Sequence, residues 1–233
     1  MLKTALVGYG KMGRLIDSMA DDFDVQIVTR FEIDDPVRDD EQTRKRLEGV
    51  SVLLDFSVAG AVVKTVEACM AMRKNLVVGT TGWDHSMKTI REQVEKSTCG
   101  LVYASNFSLG IQLFFKIAHY SAAIMNRFQE YDVYLEEAHH RMKKDAPSGT
   151  AITLKRLMSE YYPPEKLPVS SIRAGYIPGT HSVSFDGPPD SLRLEHRARN
   201  REGFARGALL AARWIQGRRG YYHFSDVVDK ILE

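Results

Sequence analysis

Cysteine is scarce in this chain, with only Cys69 and Cys99 among 233 residues. Both lie in apolar stretches, so buried free thiols are expected rather than a disulfide or a catalytic nucleophile. Hydrophobic runs of about 18 residues, the length that a membrane-spanning helix needs, are also missing. The apolar run before the first glycine turn is too short for a signal peptide, and a cytoplasmic location is expected.

An excess of charge of one sign is absent as well. The chain has 32 basic and 30 acidic side chains, which leaves a net charge of +2. This balance argues against general binding of nucleic acid or of a membrane surface. The apolar fraction of 44% is typical of a soluble globular protein, with one large domain or two modest ones.

A glycine-rich turn joins the first two predicted elements. Residues 4–7 are predicted to form a buried strand and residues 11–20 a helix. Gly8-Tyr9-Gly10-Lys11-Met12-Gly13 follows the strand and includes the start of the helix. In this context a G-x-G-x-x-G motif binds the pyrophosphate of a dinucleotide at a helix N-terminus. The alternative is a tight turn that only allows close packing. Lys11 and Arg14 lie near the expected pyrophosphate, or they carry ordinary surface charge.

The second strand is predicted at residues 25–29, and its tip carries Arg30. An acidic residue usually binds the ribose of NADH at this point, whereas an arginine can pair with the 2′-phosphate of NADPH. Arg30 can also be a solvated charge or stack on adenine. The predicted cofactor is therefore NADPH or NADH.

Three further predicted strands, at residues 50–56, 75–78 and 100–104, alternate with helices. The alternation predicts an α/β fold, a Rossmann-type doubly wound parallel sheet. Small and polar residues follow these strands, and the carboxyl edge of such a sheet is where ligands bind. The cofactor-binding residues predicted at these strand ends are Gly79, Thr80, Thr81, Ala104, Ser105, Asn106 and Phe107.

The pattern changes after about residue 109. A long helical stretch precedes four strand-like runs, at residues 131–138, 169–174, 181–185 and 191–198. These runs predict a second, α+β substrate domain with a mixed or antiparallel sheet. The predicted boundaries are 1–106 for the dinucleotide-binding domain, completed by a C-terminal helix in 201–233, and 107–200 for the second domain.

The most informative segment spans residues 136–150. Two adjacent histidines, His139 and His140, are followed by Lys143 and by an Asp-Ala-Pro-Ser-Gly-Thr turn. Imidazole and ammonium groups supply proton donors and positive charge, and a helix start offers free N–H groups to a carboxylate. The segment therefore predicts a site for an anionic substrate. The predicted carboxylate-binding residues of the turn are Ser148, Gly149 and Thr150.

Several residues of this segment have other interpretations. Adjacent histidines can bind a metal, but neighbouring side chains diverge on extended chain and no cysteine or carboxylate has the usual spacing, so no metal is predicted. Asp145 is more simply a turn former or a helix cap, and Lys144 a solvated charge. Glu137 either orients a histidine or faces water at a strand end.

Together these features resemble the dihydrodipicolinate reductase family. The resemblance covers nearly the whole chain and depends most on Glu137-Ala138-His139-His140, Lys143 and residues 145–150. The other matching positions are residues 8–13, 79–82, 106–108 and 173–175, Gly179, His181 and residues 196–198.

The resemblance implies an enzyme that reduces 4-hydroxy-tetrahydrodipicolinate to tetrahydrodipicolinate with loss of water, in lysine and diaminopimelate biosynthesis. It implies NADH or NADPH as cofactor, a small cyclic dicarboxylate as substrate, and a cytoplasmic homotetramer built by the second domain's sheet. It also implies that His139 is a proton donor and acceptor and Lys143 a second donor. His140, Gly149 and Thr150 would bind substrate carboxylates.

Three features depart from the family pattern. The first turn is one residue shorter than in many members, the second strand lacks an acid at its tip, and Thr180 stands where an acid is common. Two other functions remain as alternatives. Another two-domain NAD(P)-dependent dehydrogenase of an amino or keto acid explains the first 105 residues, but not the segment 137–150. A non-catalytic dinucleotide-sensing protein predicts erosion of the His–His–Lys set, which is intact.

Overall fold

The computed structural model describes residues 1–233. The strands are β1 (Leu2–Val7), β2 (Val25–Phe31), β3 (Val52–Asp55), β4 (Asn75–Val78), β5 (Gly100–Tyr103), β6 (Asp132–His139), β7 (Val169–Arg173), β8 (Thr180–Asp186), β9 (Ser191–Arg197) and β10 (Gly220–His223). The helices are α1 (Lys11–Met19), α2 (Glu41–Arg46), α3 (Ala59–Ala71), α4 (Met87–Lys96), α5 (Leu109–Met125), α6 (Gly149–Met158), α7 (Glu202–Ile215) and α8 (Phe224–Leu232). None of these helices is long and apolar enough to cross a membrane. The chain forms two units, Met1–Leu109 with Glu202–Glu233, and Gly110–Arg201.

The first unit contains a six-stranded sheet in the order β10-β5-β4-β3-β1-β2, parallel throughout. All residues of β3 and β4 are buried, as expected of parallel strands with both faces covered. The strand order reverses between β1 and β3. The loops after these two strands therefore border the crevice in which doubly wound sheets bind ligands. The prediction of a Rossmann-type doubly wound sheet is confirmed.

β2 is longer than predicted, and this changes the position of Arg30. The strand continues to Phe31, which is fully buried. Arg30 therefore lies within the strand, paired with Leu6 of β1, and not beyond the strand end. Arg46 of α2 stabilises this extension, because its Nη2 donates to the carbonyl oxygen of Arg30 at 2.6 Å.

The predicted C-terminal helix is present as α7, but the segment 201–233 also contains β10 and α8, which were not predicted. Gly217, with φ of 72°, lies just past the end of α7, where a glycine commonly ends a helix. Tyr221 and Tyr222 follow, and aromatic residues favour strands. β10 pairs with β5 and forms the outer edge of the parallel sheet.

The second unit contains a four-stranded sheet in the order β7-β6-β8-β9. β6 is parallel to β7 and antiparallel to β8, which is antiparallel to β9, so the predicted mixed sheet is confirmed. Along β6, alternate residues are buried. Val133 and Leu135 belong to the core that α5 and α6 cover, and the same face continues to Glu137 and His139.

Candidate active site

The turn after β1 is built from glycines with different roles. Gly8 has φ of 86°, and a Cβ there would lie 2.7 Å from the carbonyl oxygen of Phe56. A Cβ on Gly13 would lie 2.2 Å from the carbonyl oxygen of Gly8. These two glycines therefore allow the turn and the close packing of α1. Gly10 differs, because a Cβ there would meet no atom within 4 Å.

The open space over Gly10 leads to the N-terminus of α1. Gly10 is the N-cap residue, and no side chain caps the helix. The N–H groups of the first turn therefore lack intrahelical acceptors and attract an anion. This backbone cradle fits the pyrophosphate of a dinucleotide. Lys11 is exposed at the same helix end, whereas the Arg14 Nε donates to the carbonyl oxygen of Tyr9 at 3.2 Å.

A cleft of about 150 Å³ lies between the loops that follow β4 and β5. Four of the predicted cofactor residues line this cleft: Thr80, Thr81, Ala104 and Ser105. Gly79 is required because a Cβ there would lie 2.1 Å from the ring of Phe56. The side chain of Asn106 closes its own loop by accepting a backbone N–H. The Phe107 ring packs against Phe56 and Phe224 in the core, so its backbone alone is left for a cofactor.

Asp55, the last residue of β3, connects two of these loops. Its Oδ1 accepts from the N–H and hydroxyl of Ser57 at 3.0 and 2.7 Å and from the Thr80 hydroxyl at 2.8 Å. Its Oδ2 is buried without a hydrogen-bond partner. Burial raises the pKa of this carboxyl, and the hydrogen bonds from Ser57 and Thr80 only partly oppose that effect. Asp55 therefore positions the loop that carries Thr80, a role that its place in the sequence did not suggest.

Arg30 has a partner within the protein. Its Nε and Nη2 donate to the Oδ2 of Asp17 at 3.1 and 2.5 Å, and its guanidinium carbon lies 4.8 Å from the centroid of the Tyr9 ring. The hydrogen bond to Asp17 raises the pKa of Arg30. Arg30 is therefore not simply a solvated charge, and nothing in the sequence singled out Asp17 as its partner.

In the second unit, β6 places Glu137 and His139 on one face, because side chains two residues apart on a strand point the same way. Glu137 is 1% exposed and His139 8% exposed. The Oε2 of Glu137 contacts the Nδ1 of His139. Its Oε1 accepts from the Arg173 Nη2 at 2.6 Å and from the N–H of Ser148 at 3.2 Å. Glu137 thus orients a histidine and does not face water.

The surroundings of Glu137 and His139 determine their protonation at neutral pH. Burial by itself raises the pKa of Glu137, but hydrogen bonds from Arg173 and Ser171 and the nearby His139 lower it to about 2. Burial lowers the pKa of His139, and Glu137 only partly offsets this. Glu137 is therefore a carboxylate and His139 a neutral imidazole. Because the carboxylate of Glu137 contacts Nδ1 of His139, we assign the proton of the neutral ring to Nδ1, which leaves the lone pair on Nε2.

His181 of β8 supplies a second imidazole to this cluster. Strand register places it opposite Glu137, and its ring meets the His139 ring edge to face, with centroids 5.1 Å apart. Its Nε2 lies 3.2 Å from the Oγ of Ser148. Burial lowers the pKa of His181 to about 4, so this ring is also neutral at neutral pH.

Three potential metal ligands also meet here, which spacing along the sequence did not suggest. Ligand atoms of Glu137, His139 and His181 lie within 4.8 Å of one another. However, both oxygens of Glu137 already have partners, and one of them is the guanidinium of Arg173. The positive charge of Arg173, whose Nη2 lies 2.6 Å from the Oε1 of Glu137, opposes the binding of a metal cation by the same carboxylate. The donor set therefore suits proton chemistry better than metal binding.

The N-terminus of α6 offers a second anion-binding arrangement. Ser148 is the N-cap, and its Oγ accepts from the N–H of Ala151 at 3.2 Å. A Cβ on Gly149 would meet no atom within 4 Å. An anion can therefore approach the N–H groups of Gly149 and Thr150, which have no acceptor within the helix. Asp145 is not the helix cap.

A chain of polar contacts connects the two predicted catalytic residues, His139 and Lys143. From His139 it passes through Glu137 to Arg173, whose Nη2 also donates to the carbonyl oxygen of Asp145 at 2.7 Å. The carboxylate of Asp145 binds the Lys143 Nζ at 2.9 Å.

His140 lies outside this network. No hydrogen bond or ring contact joins its side chain to His139, and its Nδ1 is buried without a protein partner. A buried imidazole nitrogen without a partner is free to bind a ligand. The part that His140 plays in carboxylate binding therefore stays a prediction.

Arg173 and His181 were not predicted as site residues, although both occur in segments that match the family. Their places depend on register, which sets Arg173 opposite His139 and His181 opposite Glu137. Register between distant strands is not readable from one sequence. The spacing of Glu137 and His139 along an alternating strand was the one local signal available.

Two family models together match almost the whole chain. The model described as dihydrodipicolinate reductase, N-terminus, matches residues 2–107. The model described as dihydrodipicolinate reductase, C-terminus, matches residues 110–228. The two matches meet close to the division between the two structural units.

Curated relatives and a solved structure agree with these models. A 4-hydroxy-tetrahydrodipicolinate reductase from Christiangramia forsetii is 33% identical over 100% of both chains, and one from Methanosarcina mazei is 32% identical over 98% of this chain and 99% of its own. A dipicolinate-bound dihydrodipicolinate reductase from Paenisporosarcina sp. TG-14 has a TM-score of 0.80 and 22% identity, covering 97% of this chain and 99% of that one. This last similarity shows a common fold. The chain belongs to the dihydrodipicolinate reductase family.

Proposed function

We propose that this NAD(P)H-dependent reductase converts 4-hydroxy-tetrahydrodipicolinate to tetrahydrodipicolinate, with loss of water, in lysine and diaminopimelate biosynthesis. The observation that carries the proposal is the network that joins His139 to Lys143 through Glu137, Arg173 and Asp145. Its acid and base groups are those that a dehydration followed by a reduction requires.

Carboxylate recognition is supported by the start of α6. The substrate is a cyclic dicarboxylate, so two anionic groups must be held. The open backbone at Gly149 and Thr150 suits one carboxylate, with Ser148 holding the helix start in place as its cap. The unpartnered Nδ1 of His140 suits a further contact. The charge of Lys143 favours the same anion.

The proton steps follow from the protonation of the site, in which Glu137 is a carboxylate and His139 a neutral imidazole. The substrate hydroxyl leaves as water when its oxygen gains a proton and its C–O bond breaks, and the neighbouring ring carbon loses a C–H proton, so that a conjugated imine remains. Reduced nicotinamide, when bound, supplies the hydride that adds to the ring. Lys143 donates the proton to the departing hydroxyl oxygen. Neutral His139 accepts the C–H proton at Nε2 and returns it to the ring when the hydride has added. The carboxylate of Glu137 stabilises the imidazolium that forms in between.

The cofactor site is supported by the first unit. The open backbone at Gly10 and the uncapped N-terminus of α1 suit the pyrophosphate. The cleft lined by Thr80, Thr81, Ala104 and Ser105 lies at the same carboxyl edge of the parallel sheet. The residues that would hold the dinucleotide are thus mainly backbone donors, so NADH and NADPH can share this part of the site.

Family membership also leads us to propose a cytoplasmic homotetramer built on the second sheet. The sheet face opposite α5 and α6 carries Tyr134, 37% exposed, and Ile172, 50% exposed. Beside them, Arg193 binds Glu136 and Glu195 at 2.6 and 3.2 Å. Such a mixed face suits pairing with a second copy of itself. Light scattering on the purified protein would test this, and a monomer mass would contradict it.

A coupled assay tests the reaction itself. Pyruvate and aspartate semialdehyde are condensed by the preceding synthase, and the near-ultraviolet absorbance of NADPH or NADH is followed. We expect oxidation that depends on the synthase product. No oxidation of either cofactor, by protein that binds both, would reject the proposed substrate.

A further inference from the structure

Two side chains of the first unit donate three hydrogen bonds to one carboxylate oxygen. The Oδ2 of Asp17 accepts from the Tyr9 hydroxyl at 2.6 Å and from the Nη2 and Nε of Arg30 at 2.5 and 3.1 Å. The Asp17 side chain is 18% exposed and that of Arg30 42% exposed. The Arg30 guanidinium also lies over the Tyr9 ring. Asp17 therefore restrains both the glycine turn and the cation of β2.

The cluster of Tyr9, Asp17 and Arg30 lies where doubly wound sheets contact the adenosine ribose of a dinucleotide. In doubly wound sheets, the residue about 20 positions after the glycine motif contacts the adenosine ribose, with an acid for the 2′-hydroxyl or an arginine for the 2′-phosphate. Arg30 occupies that position, and Asp17 of α1 brings an acid to the same place. Both kinds of recognition group are thus present in one ion pair.

We propose that Asp17 sets the balance between NADH and NADPH by occupying Arg30. Two of the five guanidinium N–H groups already bind Asp17, so fewer remain for a 2′-phosphate. The carboxylate also repels the phosphate dianion, whereas the uncharged 2′-hydroxyl of NADH can donate to it. This inference depends on the proposed function, because that function is what places a nicotinamide dinucleotide here.

The test is the dissociation constant of each cofactor, measured with the full-length protein by titrating NADPH or NADH. In Asp17→Asn, we expect the ratio of NADPH affinity to NADH affinity to rise about tenfold, as removal of one charge close to a dianion predicts. Added salt should reduce the gain. Asp22→Asn is the matched control, because Asp22 is an exposed acid just after α1 and its loss changes the net charge equally. In Asp22→Asn the ratio of NADPH affinity to NADH affinity should equal that of the wild type.

A second set of variants tests whether the effect of Asp17 on cofactor preference depends on Arg30. Arg30→Ala introduced into Asp17→Asn should abolish the gain in NADPH affinity. Asp17→Ser, also uncharged, should repeat the gain if Asp17→Asn does not fold. An unchanged ratio, or a gain that survives without Arg30, would overturn the inference while the proposed function stands. Failure of the wild-type protein to bind either cofactor would reject both.

Discussion

The two units each present a helix N-terminus with an open glycine, but they build it differently. At Gly10 no side chain caps α1, and the site is formed by backbone from one short stretch. At Gly149 a serine caps α6 and its hydroxyl accepts one N–H, while titratable groups from two strands contact the cap residue. The comparison teaches that anion binding can be encoded in a local motif. Proton chemistry needs groups from distant parts of the chain.

The difference is also one of charge. The cradle at Gly10 acts through backbone dipoles, which do not titrate. In the second unit, Glu137, His139 and His181 have pKa values shifted by burial and by one another. Perturbed titrating groups in a cluster are typical of catalytic sites. We therefore expect the first unit to bind ligands, and the second to bind ligands and to transfer protons.

The largest effect is expected from Lys143→Ala. Removal of a general acid should lower kcat by about 10²- to 10⁴-fold, while cofactor dissociation constants stay unchanged because Lys143 belongs to the second unit. Steady-state kinetics and cofactor titration measure the two quantities. The neighbouring Lys144→Ala is the control, since Lys144 is exposed, and it should keep wild-type turnover. Equal turnover in both variants would remove Lys143 from the mechanism.

Glu137→Gln should be the most destabilising of these substitutions. It leaves the Arg173 guanidinium without its buried carboxylate, at a cost of about 3 kcal/mol in the free energy of unfolding. Glu136→Gln is the control, because Glu136 pairs with Arg193 on the more exposed face, and such pairs contribute about 1 kcal/mol or less. Urea unfolding compares the two. Similar losses would contradict a special role for the buried network.

The stability that Glu137 contributes should decrease as the pH is lowered. The pKa of Glu137 falls from 4.5 to about 2 on folding. Its contribution to stability is therefore complete above about pH 4.5 and is lost as the pH falls toward 2. In Glu137→Gln this part of the acid-induced loss should be missing, so the wild-type advantage should shrink as the pH is lowered. An advantage independent of pH would contradict the depressed pKa.

Gly10→Ala should separate binding from folding in the first unit. The added Cβ meets no protein atom, so the melting temperature should hardly change. The Cβ does fill space beside the N-terminus of α1, where the pyrophosphate is expected to bind. Affinity for NADH and NADPH should fall together by about tenfold, the loss of roughly one good charged hydrogen bond. Gly13→Ala is the contrast, because its Cβ would lie 2.2 Å from a carbonyl oxygen and should destabilise the fold. A stable Gly10→Ala that binds normally would contradict the cradle.

The smallest effect is expected from Gly149→Ala, the counterpart in the second unit. Alanine favours helix and loses less entropy on folding, so stability should rise by about 0.5 kcal/mol. The KM for the dicarboxylate should rise severalfold because the Cβ enters the carboxylate approach. Cofactor affinity should be unchanged. A KM equal to that of the wild type would place the carboxylate elsewhere.

Local patterns predicted the elements well where burial is continuous. The parallel strands and the strand–turn–helix motif follow from apolar runs and glycine spacing, and the six-stranded doubly wound sheet confirms them. The edge strand β10 was missed because its four residues are only partly buried and give a weak pattern. Arg30 was predicted at the tip of β2, whereas the strand continues to the buried Phe31.

The sequence by itself predicted the family, the Rossmann fold and two helix N-termini that are open to an anion, because each depends on residues that are close neighbours along the chain. Only the tertiary structure decided which groups meet. Strand register brought Arg173 and His181 to Glu137, and helix–strand packing brought Asp17 to Arg30. The tertiary structure also decided the protonation states, since the pKa of a buried group depends on desolvation and on charges that folding places beside it.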